Sequence, residues 1–266
     1  MRNRTLWFTD STQAWEKLNM AFLGWSSELP FIYAGHALYL YDLVIGIKNP
    51  VLDPNFDFGR HFNYTINKWK QLKANYLDLS ELTELKSSIV KVNASKKAYS
   101  IPFQFKNAHN NGKQCLLSII FSRREGKLHP TITVFMRASE VTKRLACDLL
   151  LFQRIGEFVF EGGKFDLVIH FNQIFQDDSV LLMYLAHVKD PKAVLKTILL
   201  DTKDDYQYQC NGEREKRAQY LWDKLLYFLK VEDVEEVKYK VHRRALKVLR
   251  PDLIDYPKTI AKDCKL

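Results

Sequence analysis

Residues 131–152, TITVFMRASEVTKRLACDLLLF, decide the fold, because the chain passes from strand to helix inside them. Thr131 to Met136 is β-branched and aromatic, a composition that suits a pleated, half-buried strand. From there Val141, Leu145, Leu149 and Phe152 recur at helical spacing. A helix is therefore expected through about Phe158, with Ser139 as its N-cap. Working outward, Tyr99 to Phe105 and Cys115 to Ser122 read as strands separated by turn-rich stretches. Glu161-Gly162-Gly163 turns the chain into a further strand, Asp166 to Phe175.

The flanks read as mostly helical. In residues 12–45, Trp15, Leu18, Phe22 and Trp25 recur at helical spacing, Leu29-Pro30-Phe31 interrupts, and an apolar run resumes from Ala34 to Ile45. Residues 48–64 read as a loop, and Thr65 to about Val92 as two short helices. Residues 179–188 and 213–230 are helical, and 234–250 carries Lys238, Lys240, Arg243, Arg244, Lys247 and Arg250. Neither an internal repeat nor a linker divides the chain. The expectation is one α+β domain over residues 1–266, a mixed β-sheet packed with helices, with a helical C-terminal part over 213–266.

Composition narrows the function classes. The 266 residues are 47% hydrophobic and 13% aromatic, with only 10 Gly and 8 Pro, which excludes disorder and collagen-like repeats. Lys and Arg number 40 against 31 acids, so the formal charge of +9 points to phosphate-bearing partners, nucleotides or nucleic acid. No apolar run of about 18 residues suggests a membrane span, and MRNRTLWFTDSTQAWEKL does not read as a signal peptide. Cys115, Cys147, Cys210 and Cys264 lie far apart without a CxxC pair, as in a reducing compartment, so a cytoplasmic protein is expected. GxGxxG, P-loop, HExxH and GxSxG motifs are missing, and the seven histidines are scattered away from ligand spacing, so no metal is expected.

The chemistry concentrates in the middle. Ser95-Lys96-Lys97 puts two cations before a strand, and Cys115 begins the next one. Arg137-Ala138-Ser139 joins a guanidinium and a hydroxyl at the expected helix start, a combination suited to an anion. Asp148 lies within the apolar stretch ACDLLLF, where an unpartnered carboxylate costs several kcal/mol. His170 and Asn172 sit on the following strand. Lys96, Cys115, Arg137 and Asp148 succeed one another at 19, 22 and 11 residues.

In that order and spacing, residues 90–185 resemble the thymidylate synthase and pyrimidine-nucleotide hydroxymethylase superfamily. The resemblance implies that the Cys115 thiolate adds to C6 of a pyrimidine and that C5 then takes a one-carbon unit from 5,10-methylenetetrahydrofolate. It implies that Arg137 and Ser139 hold the nucleotide phosphate, and that Lys96 and Lys97 reach it from the second subunit of a homodimer. His170 and Asn172 would contact the sugar. Asp148 would read the base: a carboxyl can accept from cytosine N4 and, when protonated, donate to N3. dCMP or CMP is then preferred over dUMP. Glu28 and Asp42 are the candidates for the family's catalytic acid.

The chain departs from the family in several places. Lys113-Gln114-Cys115-Leu116 replaces the Pro-Cys-His surround, and Arg144 stands where the family places a glycine near the folate. Asn172 replaces a sugar-binding tyrosine, and residues 213–266 show no resemblance. Two other functions compete. One is a nucleic-acid-binding protein, or an enzyme acting on bases within DNA, which the basic helix 238–250 would serve. The other is a catalytically silent nucleotide-binding relative.

Overall fold

An alternating strand and an amphipathic helix each have one side to bury, and this chain buries both kinds against one mixed sheet. The structure is a computed structural model that describes residues 5–26, 28–94, 98–106, 115–185, 188–204, 212–250, 252–253 and 257–266. Strand β1 (Leu6–Asp10) leads into helix α1 (Ser11–Leu23), whose first turn Asp10 caps by accepting from Gln13 N–H at 2.8 Å. The hairpin strands β2 (Ile32–Ala34) and β3 (Ala37–Asn49) follow, then the short helix α2 (Phe58–Phe62) and helices α3 (Ile66–Tyr76) and α4 (Leu79–Ala94). Next come β4 (Tyr99–Gln104), β5 (Leu116–Arg123), β6 (Thr131–Glu140), α5 (Arg144–Val159) and β7 (Asp166–Asp177). The chain ends in α6 (Asp178–Leu185), α7 (Pro191–Asp204), α8 (Glu213–Lys230) and α9 (Lys240–Leu249).

Among the described residues the strands run in the order β1-β3-β7-β6-β5-β4, with β2 on β3. The β1–β3 and β6–β7 pairs are parallel and the others antiparallel, so the expected α+β class with a mixed sheet holds. No helix of the described residues is long and apolar enough to cross a membrane.

Besides the helix α2, which lies in the stretch 48–64 expected as a loop, two expectations are corrected. Residues 37–45, within the stretch expected to be helical, belong to β3, the longest strand among the described residues. Ser139 is not an N-cap: β6 continues to Glu140 and α5 begins at Arg144. Both errors come from one feature, a kink shared by three neighbouring strands. In β6 the inward residues are Ile132, Val134 and Met136, then Ser139; in β7 they are Leu167, Ile169 and Phe171, then Ile174 and Gln176. In β3 they are Leu38 and Leu40, then Leu43, Ile45 and Ile47, with Asp42 at φ +53° between them. Each strand spends one extra residue at the same level, which swaps the faces beyond it.

The inward face packs on α1 and α5, whose Trp15, Leu18, Phe22, Leu145, Leu149 and Phe152 are all buried. The other face presents half-exposed Tyr39, Val44, Phe135, His170 and Phe175. A buried polar chain ties the helices of the last third to the sheet. Arg217 on α8 donates through Nε to Asp178 Oδ1 at 2.7 Å, and through its two Nη atoms to Phe22 O and Gln176 Oε1. Gln176 Nε2 donates to Thr142 Oγ1, which donates to Asn19 Oδ1 at 2.7 Å. Tyr33 closes the far end on Asp178 Oδ2 at 2.7 Å.

Candidate active site at the end of strand β6

The kink turns Ser139 inward, onto α5 rather than toward solvent. Its hydroxyl donates to Asp148 Oδ2 at 2.9 Å, and both residues are buried. Burial pushes the Asp148 carboxyl up to about 7, against the pull of the Ser139 bond and of Arg144 one helical turn earlier. A carboxylate that would be costly in an apolar helix is thus held by one hydroxyl and still carries a substantial share of its proton near neutrality.

Glu140 takes the place that the sequence suggested for an anion. Its carboxylate accepts from Thr142 N–H at 2.9 Å and Lys143 N–H at 2.7 Å, filling the N-terminal end of α5. Burial raises this carboxyl to about 7 as well, although those N–H groups oppose the shift. The expected triad of Arg fork, Ser hydroxyl and free helix N-terminus is therefore not assembled here. Ser139 is committed to Asp148, the N–H groups are committed to Glu140, and Arg137 is exposed.

Cys115 leads β5, half-buried, and its carbonyl accepts from Arg137 N–H at 2.7 Å. The Tyr76 hydroxyl lies against the Cys115 N–H and within electrostatic reach of Asp148 and Arg144. Tyr76 thus stands within electrostatic reach of both the cysteine and the buried carboxyl. Across the sheet, the strand register sets Arg137 and Asp42 on either side of Asn172. Cys115, Arg137, Asn172 and Asp42 consequently form one transverse row along the kink, and the last three are exposed. His170 stacks on Phe135 at 4.9 Å on the half-exposed face, where partial burial lowers its pKa.

Other candidates are not brought in. Glu28 is exposed in the loop after α1, its N–H on Ser26 Oγ at 3.4 Å. Asp42 joins the row but is exposed rather than buried beside Asp148. Lys96 and Lys97 lie outside the described residues, as does Cys210. Among the described residues no group of three or more His, Cys, Asp or Glu could hold a metal. Sequence reasoning missed Glu140, although an acid just before the Thr-Lys-Arg that opens a helix is a capping signal. It also missed Tyr76, for which no sequence signal exists.

The two carboxyls make a pH prediction. In the unfolded chain their values lie near 4, so between about pH 4 and pH 7 the folded chain binds more protons. Stability is then greatest on the acid side and falls as pH rises through 7. Urea unfolding at pH 5 and pH 8 should differ by on the order of a few kcal/mol. Asp148→Asn, which keeps an acceptor for Ser139, should flatten that slope. A variant as pH-sensitive as the parent would contradict the buried, proton-holding carboxyl.

No family model matches the chain and no curated protein matches it, so its function is read from its own site.

Proposed function

We propose that the chain is an enzyme acting at C5 of a cytosine nucleotide, dCMP or CMP in preference to dUMP, by way of a Cys115 adduct at C6. The observation that carries this reading is Asp148: buried on Ser139, pushed up to about 7, with Tyr76 in electrostatic reach of both it and Cys115. A protonated carboxyl presents one donor and one acceptor, the complement of cytosine N3 and N4. Uracil presents the reverse order, N3–H and O4, so with the carboxyl proton held on the oxygen facing N3 it leaves a buried polar group unmatched, which is costly.

The step the chain's own residues support is balanced without a co-reactant. The Cys115 thiolate forms a bond to C6, and the ring's C5–C6 electron pair shifts away from C6, leaving C5 nucleophilic. C5 takes a proton from solvent and gives up its original hydrogen, and elimination of the thiolate restores the ring. The thiolate, not the thiol, is the attacking form.

The folate position of the resemblance does not carry over: where the family places a glycine the chain holds Arg144, exposed and within electrostatic reach of Asp148 and Tyr76. No step is therefore drawn through 5,10-methylenetetrahydrofolate.

Asp148→Asn tests the reading. The amide supplies an N–H donor and a carbonyl acceptor suited to uracil, so the ratio of dCMP to dUMP binding should fall by about 10- to 100-fold. An unchanged ratio in calorimetric titrations would sink the assignment of Asp148 to the base.

A further inference from the structure

The surplus positive charge has a local concentration beside this site. Lys68 on α3 and Lys143 just before α5 both place their ammonium groups on the Tyr64 ring, at 6.0 Å and 5.8 Å from its centroid. Arg144 follows Lys143, and Arg244 on α9 approaches closely enough to act on its charge. Lys143 is the innermost, and burial together with Lys68, Arg144 and Arg244 holds its ammonium below the usual lysine range. Among the described residues none of the four is in an ion pair, whereas other cations of the same region are: Arg243 bonds Glu235 at 2.7 Å and Arg250 bonds Asp252 at 2.7 Å. The nearby buried carboxyls, Asp148 and Glu140, are the two that hold their protons toward neutrality. Four cations from three separate elements thus crowd together without an anion to offset their repulsion, an arrangement that favours binding one.

The cluster also has a direction. Arg144 and Asp148 lie one turn apart on the same face of α5, and Tyr64 is in electrostatic contact with Cys147 and Asp148. A group bound among the cations would therefore adjoin the carboxyl proposed to read the base. We infer that Lys68, Lys143, Arg144 and Arg244 form a phosphate site, taking the phosphate of the nucleotide in place of the Arg137-Ser139 pair. The inference rests on the base reading for its substrate, but the site itself does not. The bound phosphate can belong to a free nucleotide or to a strand.

The test uses the full chain and four probes: dCMP, deoxycytidine, inorganic tripolyphosphate and a single-stranded oligodeoxycytidine. The parent should bind dCMP about tenfold more tightly than deoxycytidine, and tripolyphosphate should raise its melting temperature. In Lys143→Gln/Arg244→Gln the dCMP advantage and the tripolyphosphate shift should vanish while deoxycytidine binding is unchanged. Removing crowded cations should leave the ligand-free melting temperature equal or higher, and exposed Arg244→Gln alone serves as a fold-neutral check. Oligodeoxycytidine binding that is steeply salt-dependent and lost in the variant, without dCMP binding, assigns the phosphate to a strand. Tripolyphosphate binding through these residues with no response to either cytosine ligand keeps the site and rejects the base reading. A double variant that still prefers dCMP, or a parent indifferent to every phosphate, overturns the inference.

Discussion

Arg217→Met is expected to cost about 3–5 kcal/mol of folding stability, the scale for breaking a buried ion pair from one side. The pair is inaccessible, with side-chain exposures of 2% for Arg217 and 0% for Asp178. The guanidinium also serves Phe22 O, Gln176 Oε1 and, at 3.4 Å, Leu23 O, so one truncation leaves four acceptors short of a donor. Burial pushes the Asp178 carboxyl up, and Arg217 and Tyr33 pull it back. Without the guanidinium the carboxyl takes up a proton more readily, so the deficit should be smaller at pH 5 than at pH 8. Urea unfolding of parent and variant at both pH values measures this. A loss below about 1 kcal/mol, the scale of an exposed pair, would mean that the network does not fasten α8 to the sheet.

Cys115→Ser should lower C5 exchange by a factor on the order of 10³ to 10⁶, the range seen when a covalent nucleophile is removed. Nucleotide affinity should stay within about threefold, because the proposed base and phosphate contacts come from Asp148 and the Tyr64 cluster instead. Cys147 cannot substitute: it is buried, and desolvation raises its thiol to about 12. Cys264, also buried, is raised to about 11. Retained exchange in the variant would remove the nucleophile from the scheme, and a parent that binds nucleotide without exchange would be the silent relative.

The strands and helices that keep one period were legible in the sequence: α3 and α4, β4 to β7, and α8 all lie close to where the pattern put them. The kink was not. In β3 it turns the alternation Leu38, Leu40, Leu43, Ile45 into gaps that overlap helical spacing, so a strand read as a helix. In β6 it moves the N-cap four residues on, from Ser139 to Lys143, and redirects Ser139 from capping to Asp148. Asp148 itself stood out because a carboxylate in an apolar stretch needs a partner, whereas the partner's identity depended on the face swap. Tyr64 and Lys68 lie four residues apart, but Arg244 comes from a distant part of the chain, and their meeting at Lys143 could be found only in three dimensions. The homodimer implied by the resemblance rests on Lys96 and Lys97, outside the described residues.

Cys115 addition at C6 is tested by incubating the purified chain with dCMP, CMP and dUMP in deuterated water, without folate, and weighing the nucleotides. The account predicts that dCMP or CMP gains one deuterium at C5 faster than dUMP, and that adding 5,10-methylenetetrahydrofolate leaves the rate unchanged. Deuterium-free nucleotides after prolonged incubation with fully folded protein, or exchange faster into dUMP than into either cytosine nucleotide, would contradict it.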